Sequence, residues 1–348
     1  IGAVIKAVHE PSGTTYKTVT DRNGRYSVTG MTAGGPYKVV ISYIGFRTAV
    51  VKGITLKLAD NQTLNTSLQE SAELLNEVVV TADKSMRSSR SGAVTNMNIE
   101  QIAAVPTVSR SMTDLMRLTP QGSGTTNGFA IGGGNYRQSN VTVDGAQFNN
   151  TFGLGSNVLP GGGSPISIDA LEQVTVSITP YDVRQSGFTG GAINAVTRSG
   201  TNKFKGSAYT YLTSNDLAGK KVGDYDKMAL EDAHANTYGF TLGGPIIKDK
   251  LFFFVNGEYE DKVTAGPSAV ANGGVNGKFD NTNRRPVLSD LESLTRYMQN
   301  TYGFTTGPWQ GYNAKSPSYR ILARLDWNIN NDHKFNIRFT KSNRKANS

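Results

Sequence analysis

From residue 203 onward the chain alternates apolar and polar positions, segment after segment. Over 319–329, Tyr319, Ile321, Ala323, Leu325, Trp327 and Ile329 fall on one side, and Arg320, Leu322, Arg324, Asp326 and Asn328 on the other. Over 203–213, Phe204, Gly206, Ala208 and Leu212 oppose Lys205, Ser207, Tyr209 and Tyr211. Tyr238, Phe240, Leu242 and Ile246 share a face, as do Leu251, Phe253, Val255 and Tyr259 against Asn256 and Glu258. Phe335, Ile337 and Phe339 oppose Lys334, Asn336, Arg338 and Thr340. Successive side chains of a strand point to opposite faces. The pattern predicts five strands, each with one apolar and one polar face.

The connections between these strands fall into two lengths. Lys248-Asp249-Lys250 and Asn330-Asn331-Asp332 are short turns, whereas 214–236 and 261–318 are long. Short turns alternating with long loops are the pattern of outer-membrane barrels. A compact soluble domain rarely carries structureless connections beyond about 15 residues. Five strands do not close a barrel, and an open edge in a bilayer leaves backbone groups unpaired at several kcal/mol each. The barrel is therefore expected to continue beyond Ser348, and Ile1 to follow a processed or missing segment.

Upstream, residues 1–70 read as short strands divided by turn signals at Ser12-Gly13, Asp21-Arg22-Asn23-Gly24, Gly30, Gly34-Gly35-Pro36 and Asp60-Asn61. Arg25-Tyr26-Ser27-Val28 alternates, and Tyr37-Lys38-Val39-Val40-Ile41-Ser42-Tyr43 is rich in β-formers. Strands at this spacing predict a small sandwich. Leu75-Asn76-Glu77-Val78-Val79-Val80-Thr81-Ala82 is a strand by propensity. Helical pattern follows at Ile99, Ile102 and Ala103, then at Met112, Leu115, Met116 and Leu118, punctuated by Pro106 and Pro120. Glycine-rich strands are expected over 129–134 and 140–145, and a further strand over 171–176.

Composition narrows the picture. Charged residues are 18%, below the roughly 25% of soluble domains. The 39 Gly, 15 Tyr and 14 Phe suit an all-β protein with frequent turns. No cysteine is present, which removes disulfides and Cys-based metal sites. No stretch approaches the roughly 18 apolar residues of a membrane helix, which excludes a helical membrane protein but not a barrel. The net charge is +9. Its Lys and Arg residues are scattered and alternate with apolar ones, so the excess does not predict nucleic-acid binding.

The chemistry-bearing residues are sparse. His9, His234 and His333 lie far apart, without triad or HExxH spacing. Asp144 precedes Gly145 and reads as a turn residue. The glycine-rich loops lack the following helix and Lys-Ser/Thr of a phosphate cradle. No catalytic residue, metal ligand or cofactor is predicted, and the chain is not expected to be an enzyme.

Specific stretches resemble known families. Thr20-Asp21-Arg22-Asn23-Gly24-Arg25-Tyr26-Ser27-Val28, with Gly34-Gly35-Pro36-Tyr37 and Ser42-Tyr43-Ile44-Gly45-Phe46, resembles the carboxypeptidase regulatory-like domain. That domain precedes the plug in many Bacteroidetes transporters. Val143-Asp144-Gly145, Glu172-Gln173-Val174, Gly190-Gly191-Ala192-Ile193-Asn194 and Thr197-Arg198-Ser199-Gly200-Thr201-Asn202 resemble, in that order, the plug of TonB-dependent receptors. Residues 181–202 are particularly similar to the Oar-like branch.

The resemblance implies a mainly β protein in four parts. These are a β-sandwich over 1–70, a TonB-box-like linker over 71–82, an α+β plug over 83–202, and the N-terminal strands of a transmembrane antiparallel β-barrel over 203–348. It implies TonB-dependent active transport across the bacterial outer membrane, with the N-terminal domain in the periplasm. TonB, with its inner-membrane energising complex, would pair as an added strand with Glu77, Val78, Val79, Val80, Thr81 and Ala82. Lumen-facing Arg320, Arg324, Lys334 and Arg338 are expected to hydrogen-bond to the plug. Substrate would meet Asn135, Tyr136, Arg137 and Gln138 at a plug tip, and Asn149, Asn150 and Phe152 in a neighbouring loop. Peptide or protein is slightly favoured over siderophore or oligosaccharide. Outer-membrane lipid is an expected partner, and a surface lipoprotein lid is compatible with the family. The rival reading is a soluble or surface-anchored β-sandwich adhesin or glycan-binding protein.

Overall fold

The computed structural model describes residues 2–58, 61–70, 78–81, 86–89, 94–105, 107, 110–120, 122–125, 128–149, 164–178, 190–217, 221–222, 225–226, 233–264, 271–272, 285–308, 312–330 and 333–345. The chain divides into two compact units, one comprising 1–208, 240–257 and 320–342, the other 209–239, 258–319 and 343–348.

The N-terminal body of the first unit is a five-stranded sheet. It contains β1 (Val4–His9), β2 (Thr14–Val19), β3 (Gly34–Ser42), β4 (Ala49–Leu56) and, after β5 (Asn61–Leu64), β6 (Val78–Thr81), in the order β2-β1-β3-β4-β6. Ile5, Ala7, Tyr37, Val39, Ile41, Val51 and Ile54 bury their side chains in one core. Tyr26, Val28, Met31, Leu64 and Leu68 pack against that core. Arg25–Val28 is not a strand, contrary to its alternating pattern. The Asp21 carboxylate accepts hydrogen bonds from the Asn23 and Arg25 amides, both at 2.8 Å, and curls the chain into a turn. Tyr26 then lies over the sheet, where its hydroxyl donates to the Leu64 carbonyl at 2.9 Å.

Within the segment 71–82, expected to be a TonB-box-like linker, residues 78–81 are described and form an edge strand of this sheet. β6 pairs in parallel with β4, Ala49 facing Val78 and Lys52 facing Thr81. β7 (Met86–Ser89) pairs antiparallel with β5. Glu77 and Ala82 lie outside the described residues.

The plug follows. β8 (Val94–Asn98) leads into α1 (Ile99–Ala104), and then come α2 (Met112–Met116), β9 (Gly122–Thr125), β10 (Gly128–Ile131), β11 (Asn140–Val143), β12 (Ala146–Gln147), β13 (Leu171–Ile178) and β14 (Gly191–Thr197). Both helices begin where the sequence supplies a cap. The Asn98 carboxamide oxygen accepts from the Gln101 amide at 2.9 Å while the Gln101 side chain accepts from the Asn98 amide at 3.0 Å. Ser111 caps α2. The sheet runs β12-β11-β14-β13-β8, with β11 and β14 parallel. Its core joins Met112, Leu115, Met116, Val141, Val174 and Ile193 to two residues from the strands beyond, Phe254 and Leu322.

Those strands are β15 (Lys205–Ser214), then, after the short pair β16 (Lys221–Val222) and β17 (Tyr225–Asp226), β18 (His234–Ile247), β19 (Leu251–Thr264), β21 (Ser318–Asn328) and β22 (Lys334–Arg344). They form one sheet in chain order, with β20 (Ala314–Lys315) added to the end of β19. The two faces divide as their pattern predicts. Phe240, Leu242, Leu325 and Trp327 are exposed, while Thr241, Phe254, Leu322 and Arg324 are buried. An exposed row of large apolar side chains on a long sheet is what a lipid-facing wall requires.

In the second unit, the long connection expected to be structureless contains α3 (Leu288–Tyr302), ended by Gly303 at φ 65°. None of its residues is buried. Within the same unit the Tyr209 hydroxyl donates to the Glu258 carboxylate at 2.9 Å, and the Ser318 hydroxyl to Glu260 at 3.1 Å.

Candidate functional site

The junction between the plug and the inner face of the wall is held by a cluster of buried and half-buried polar side chains. It starts from a hairpin. Asp144 and Gly145 join β11 to β12 with φ of 50° and 86°, the two positive angles that an Asp-Gly turn supplies. That geometry aims the Asp144 carboxylate at β14. It accepts from the Thr197 amide at 3.0 Å and from the Thr197 hydroxyl at 2.6 Å.

Wall arginines complete the junction. Arg324 on β21 is 4% exposed, and its Nη1 donates to the Thr197 carbonyl at 2.7 Å. Nε and Nη2 of Arg324 grip both oxygens of Asp326 at 2.8 and 2.9 Å. The fork is charge-assisted and bidentate, the stronger kind of hydrogen bonding. Two residues along a strand share a face, so Asp326 is placed to hold the guanidinium toward the plug. Arg338 on β22 reaches Asp144, its Nε 3.3 Å from the carboxylate and its Nη1 donating to the carbonyl at 3.4 Å. Arg320 Nε donates to the Ser164 carbonyl at 2.8 Å. Three of the four expected basic residues thus bind the plug. The fourth, Lys334, binds the N-terminal sheet instead, with its ammonium 3.3 Å from the Tyr16 ring centroid.

Close approach is built into the backbone. A Cβ at Gly200 would lie 2.4 Å from the Phe253 carbonyl oxygen and 2.8 Å from that of Gly244. The glycine of Thr-Arg-Ser-Gly-Thr-Asn therefore lets the plug's exit segment touch two wall strands. The neighbouring Arg198 stacks over the Phe254 ring at 5.5 Å and donates to the Asp169 carbonyl at 3.3 Å. Asp169 also pairs with Arg110. Burial pushes the Glu172 carboxyl up, against the pull of Arg198, Arg324 and Lys205. Sequence reasoning treated Asp144 as a turn residue only. Its anchoring role depends on Arg338, 194 residues away, and no local pattern carries that.

A cavity of about 590 Å³ opens beside this junction, lined by His9, Tyr16, Asp144, Arg324, Lys334 and Arg338 among others. Among the described residues no cluster of His, Asp and Glu could hold a metal ion.

The substrate-facing candidates are distributed unevenly. Asn135, Arg137 and Gln138 are exposed at a tip that braces itself. Gln138 Oε1 accepts from the Asn135 amide at 2.8 Å, and Asn135 Oδ1 from the Arg137 amide at 3.1 Å. Tyr136 belongs to the same short turn of 3-10 helix. Asn149 is turned inward: its Oδ1 accepts from the Val141 amide at 2.7 Å and its Nδ2 donates to Asn140 Oδ1 at 2.8 Å. Asn150 and Phe152 lie outside the described residues, as do residues 181–189 of the longest family-like stretch.

An apolar-faced sheet whose polar side is bolted to an α+β body is what the first strands of a plugged outer-membrane β-barrel present. Residues 196–348 match the outer membrane beta barrel domain and residues 1–69 the carboxypeptidase regulatory-like domain. The chain is 30% identical over 337 residues to the TonB-dependent transporter Oar of Myxococcus xanthus, covering 90% of this chain and 29% of Oar. It is 25% identical over 282 residues to the probable TonB-dependent siderophore receptor PirA of Acinetobacter baumannii, covering 72% of this chain and 35% of that protein. The crystal structure of the siderophore receptor PirA from Acinetobacter baumannii aligns with a TM-score of 0.47 at 20% identity, covering 73% of this chain and 32% of that one. The chain thus spans well under half the length of these relatives. Its domain matches and its relatives are those of TonB-dependent receptors of the outer membrane. Its relatives are named as a transporter and a receptor, not as enzymes.

Proposed function

We propose that the complete protein imports a substrate across the outer membrane, with the plug as a TonB-operated gate. The observation that carries this is the wall–plug junction. Arg320, Arg324 and Arg338 project from the inner face of the wall strands into the plug, while Leu325 and Trp327 stay exposed on the outer face. A wide barrel leaks unless filled, and a filling held by discrete hydrogen bonds can be shifted and reseated.

TonB would engage Glu77, Val78, Val79, Val80, Thr81 and Ala82 by strand addition, with its inner-membrane energising complex supplying the work. The extended conformation of Val78–Thr81 supports this, since a partner strand needs an extended template. Substrate would be met at the Asn135–Gln138 tip, where Asn135, Arg137 and Gln138 are exposed. Asn149, with both ends of its amide engaged inside the plug, braces that region. Peptide or protein is the favoured cargo on the Oar-like stretch, with siderophore, named for the PirA relative, as the competing class.

The test is deletion of residues 77–82 in the full-length protein. Energised uptake should fall to background while surface binding of cargo persists. Uptake at the wild-type rate would refute the assignment.

A further inference from the structure

The turn between β1 and β2 of the N-terminal domain is seated on the wall, within one compact unit. The Asn202 amide donates to the Pro11 carbonyl at 2.8 Å, and Asn328 Nδ2 to the Thr14 hydroxyl at 2.8 Å. The Lys334 ammonium donates to the Thr15 carbonyl at 3.4 Å while lying over the Tyr16 ring. The seat is itself braced. Asn202 Nδ2 donates to Asp249 Oδ1 at 2.7 Å, the Asp249 amide returns a bond to Asn202 Oδ1 at 2.8 Å, and the Asn328 amide donates to the Lys250 carbonyl at 2.7 Å. Gly13, at φ 67°, lets the turn in, because a Cβ there would run into the Asp249 carboxylate, 3.0 Å from Cγ. On the domain side the Ser12 hydroxyl lies 2.7 Å from both His9 Nδ1 and the Thr14 hydroxyl. A chain of polar groups thus runs from buried His9 out to Asn328.

Asp249 and Lys250 border one short turn of the wall, and Asn328 and Lys334 flank the other. Short turns mark the periplasmic end of an outer-membrane barrel, so the seat is on the periplasmic rim. The cavity of about 590 Å³ at this end is bounded by all three bodies: His9 and Tyr16 from the domain, Asp144 from the plug, Arg324 and Arg338 from the wall. Without the domain it would be an open groove. We propose that the carboxypeptidase regulatory-like domain is a periplasmic cap, docked by its β1–β2 turn on the wall rim and covering the cavity behind the plug. The inference rests on the reading of the plug as an import gate. Cargo that has passed the plug meets the cap before the periplasm, and undocking from the rim is the last step of its passage. The joint suits release. Its hydrogen bonds exchange readily for bonds to water and each holds weakly in net terms.

Two measurements on the full-length protein test the cap, and neither needs the cargo. The first is disulfide formation in isolated outer membranes under mild oxidation. The residues present contain no cysteine. Gly13→Cys with Asp249→Cys is in reach, since disulfide Cβ atoms lie roughly 3.5–4.5 Å apart. Lys17→Cys with Asp249→Cys is the comparison, because Lys17 is exposed and lies four residues further along. The first pair should close at least tenfold faster. Equal rates would describe a domain swinging on a tether and overturn the docking. The second measurement needs no substitution at Gly13. Thr142→Cys, on the plug side of the cavity, is labelled with a polyethylene-glycol maleimide too large to enter. Labelling should be slow, and at least tenfold faster when Asn328→Ala and Lys334→Ala are added. A rate that these two substitutions leave unchanged overturns the cover. Either failure leaves the import reading standing, which falls only if uptake survives deletion of residues 77–82.

Discussion

Arg324 and Thr197 are 127 residues apart in the chain and are joined by a 2.7 Å hydrogen bond from the guanidinium to the carbonyl. One belongs to a wall strand and the other to the last strand of the plug. The same Thr197 is held from its other side by Asp144, so wall, plug sheet and hairpin turn meet at one residue.

Removing the guanidinium should unseat this contact. Arg324→Met leaves the Thr197 carbonyl unpaired and Asp326 without its bidentate partner. Breaking a buried charge pair on one side costs about 3–5 kcal/mol. Planar-bilayer conductance of the full-length protein should rise as the plug loosens. Arg324→Lys, which keeps charge but not the fork, should fall between. A conductance identical to wild type in Arg324→Met would remove the junction's gating role.

Gly200 should tolerate no side chain. Alanine would place its Cβ 2.4 Å from the Phe253 carbonyl oxygen, so backbone on one side or the other must move. Overpacking of this kind costs about 1–3 kcal/mol, and rigid backbone neighbours favour the upper end. Ser199→Ala is the control, expected to be nearly neutral. Protease nicking at the plug–wall connection reports the difference.

On the wall, the outer and inner faces should answer differently to charge. Leu325→Arg puts a cation on the lipid face, costing about 2–4 kcal/mol near the bilayer midplane. Loss of heat-modifiable gel mobility in isolated outer membranes should follow. A soluble adhesin would accept the same exposed arginine without penalty, so a neutral result would revive that rival reading.

The wall was legible because its signal is local: a period of two survives whatever the strands pack against. The plug's inner partners were partly legible, since Arg320, Arg324 and Arg338 face the side that alternation assigns to them. Other features needed more than pattern. Arg25–Val28 alternates like a strand, but the Asp21 turn turns it into a cover for the sheet. The strand Val78–Thr81 was visible by composition, yet its parallel partner β4 lies 29 residues upstream by register and no periodicity names it. α3 is different, because its signal was present. Leu288, Leu291, Leu294 and Met298 recur at helical spacing and Gly303 stops the run. The expectation of a bare loop hid it.

His9 should make the N-terminal domain acid-sensitive. Burial lowers its pKa to about 4, and its Nδ1 lies 2.7 Å from the Ser12 hydroxyl. An unfolded histidine titrates near 6.5. Below that value the unfolded chain binds a proton that the folded domain refuses. The stability is therefore complete above about pH 6.5 and declines as pH falls toward 4, by up to about 3 kcal/mol. Denaturation midpoints of the domain at pH 7 and 4.5 should diverge in the wild type. They should converge in His9→Gln, and equal slopes in the two proteins would discount the residue.

The plug sheet runs β12-β11-β14-β13-β8, which leaves β8 at one margin, paired with β13 among the described strands. β8 is also the first plug strand that a load entering from the N-terminal side would reach. The interior strands are tethered differently: β14 runs within eight residues into the wall and is riveted to it through Thr197. Tension would therefore strip the margin while the centre stays anchored. Any passage opened in this way would be a partial breach beside β13, shaped by which strand is last in line rather than by expulsion of the whole body.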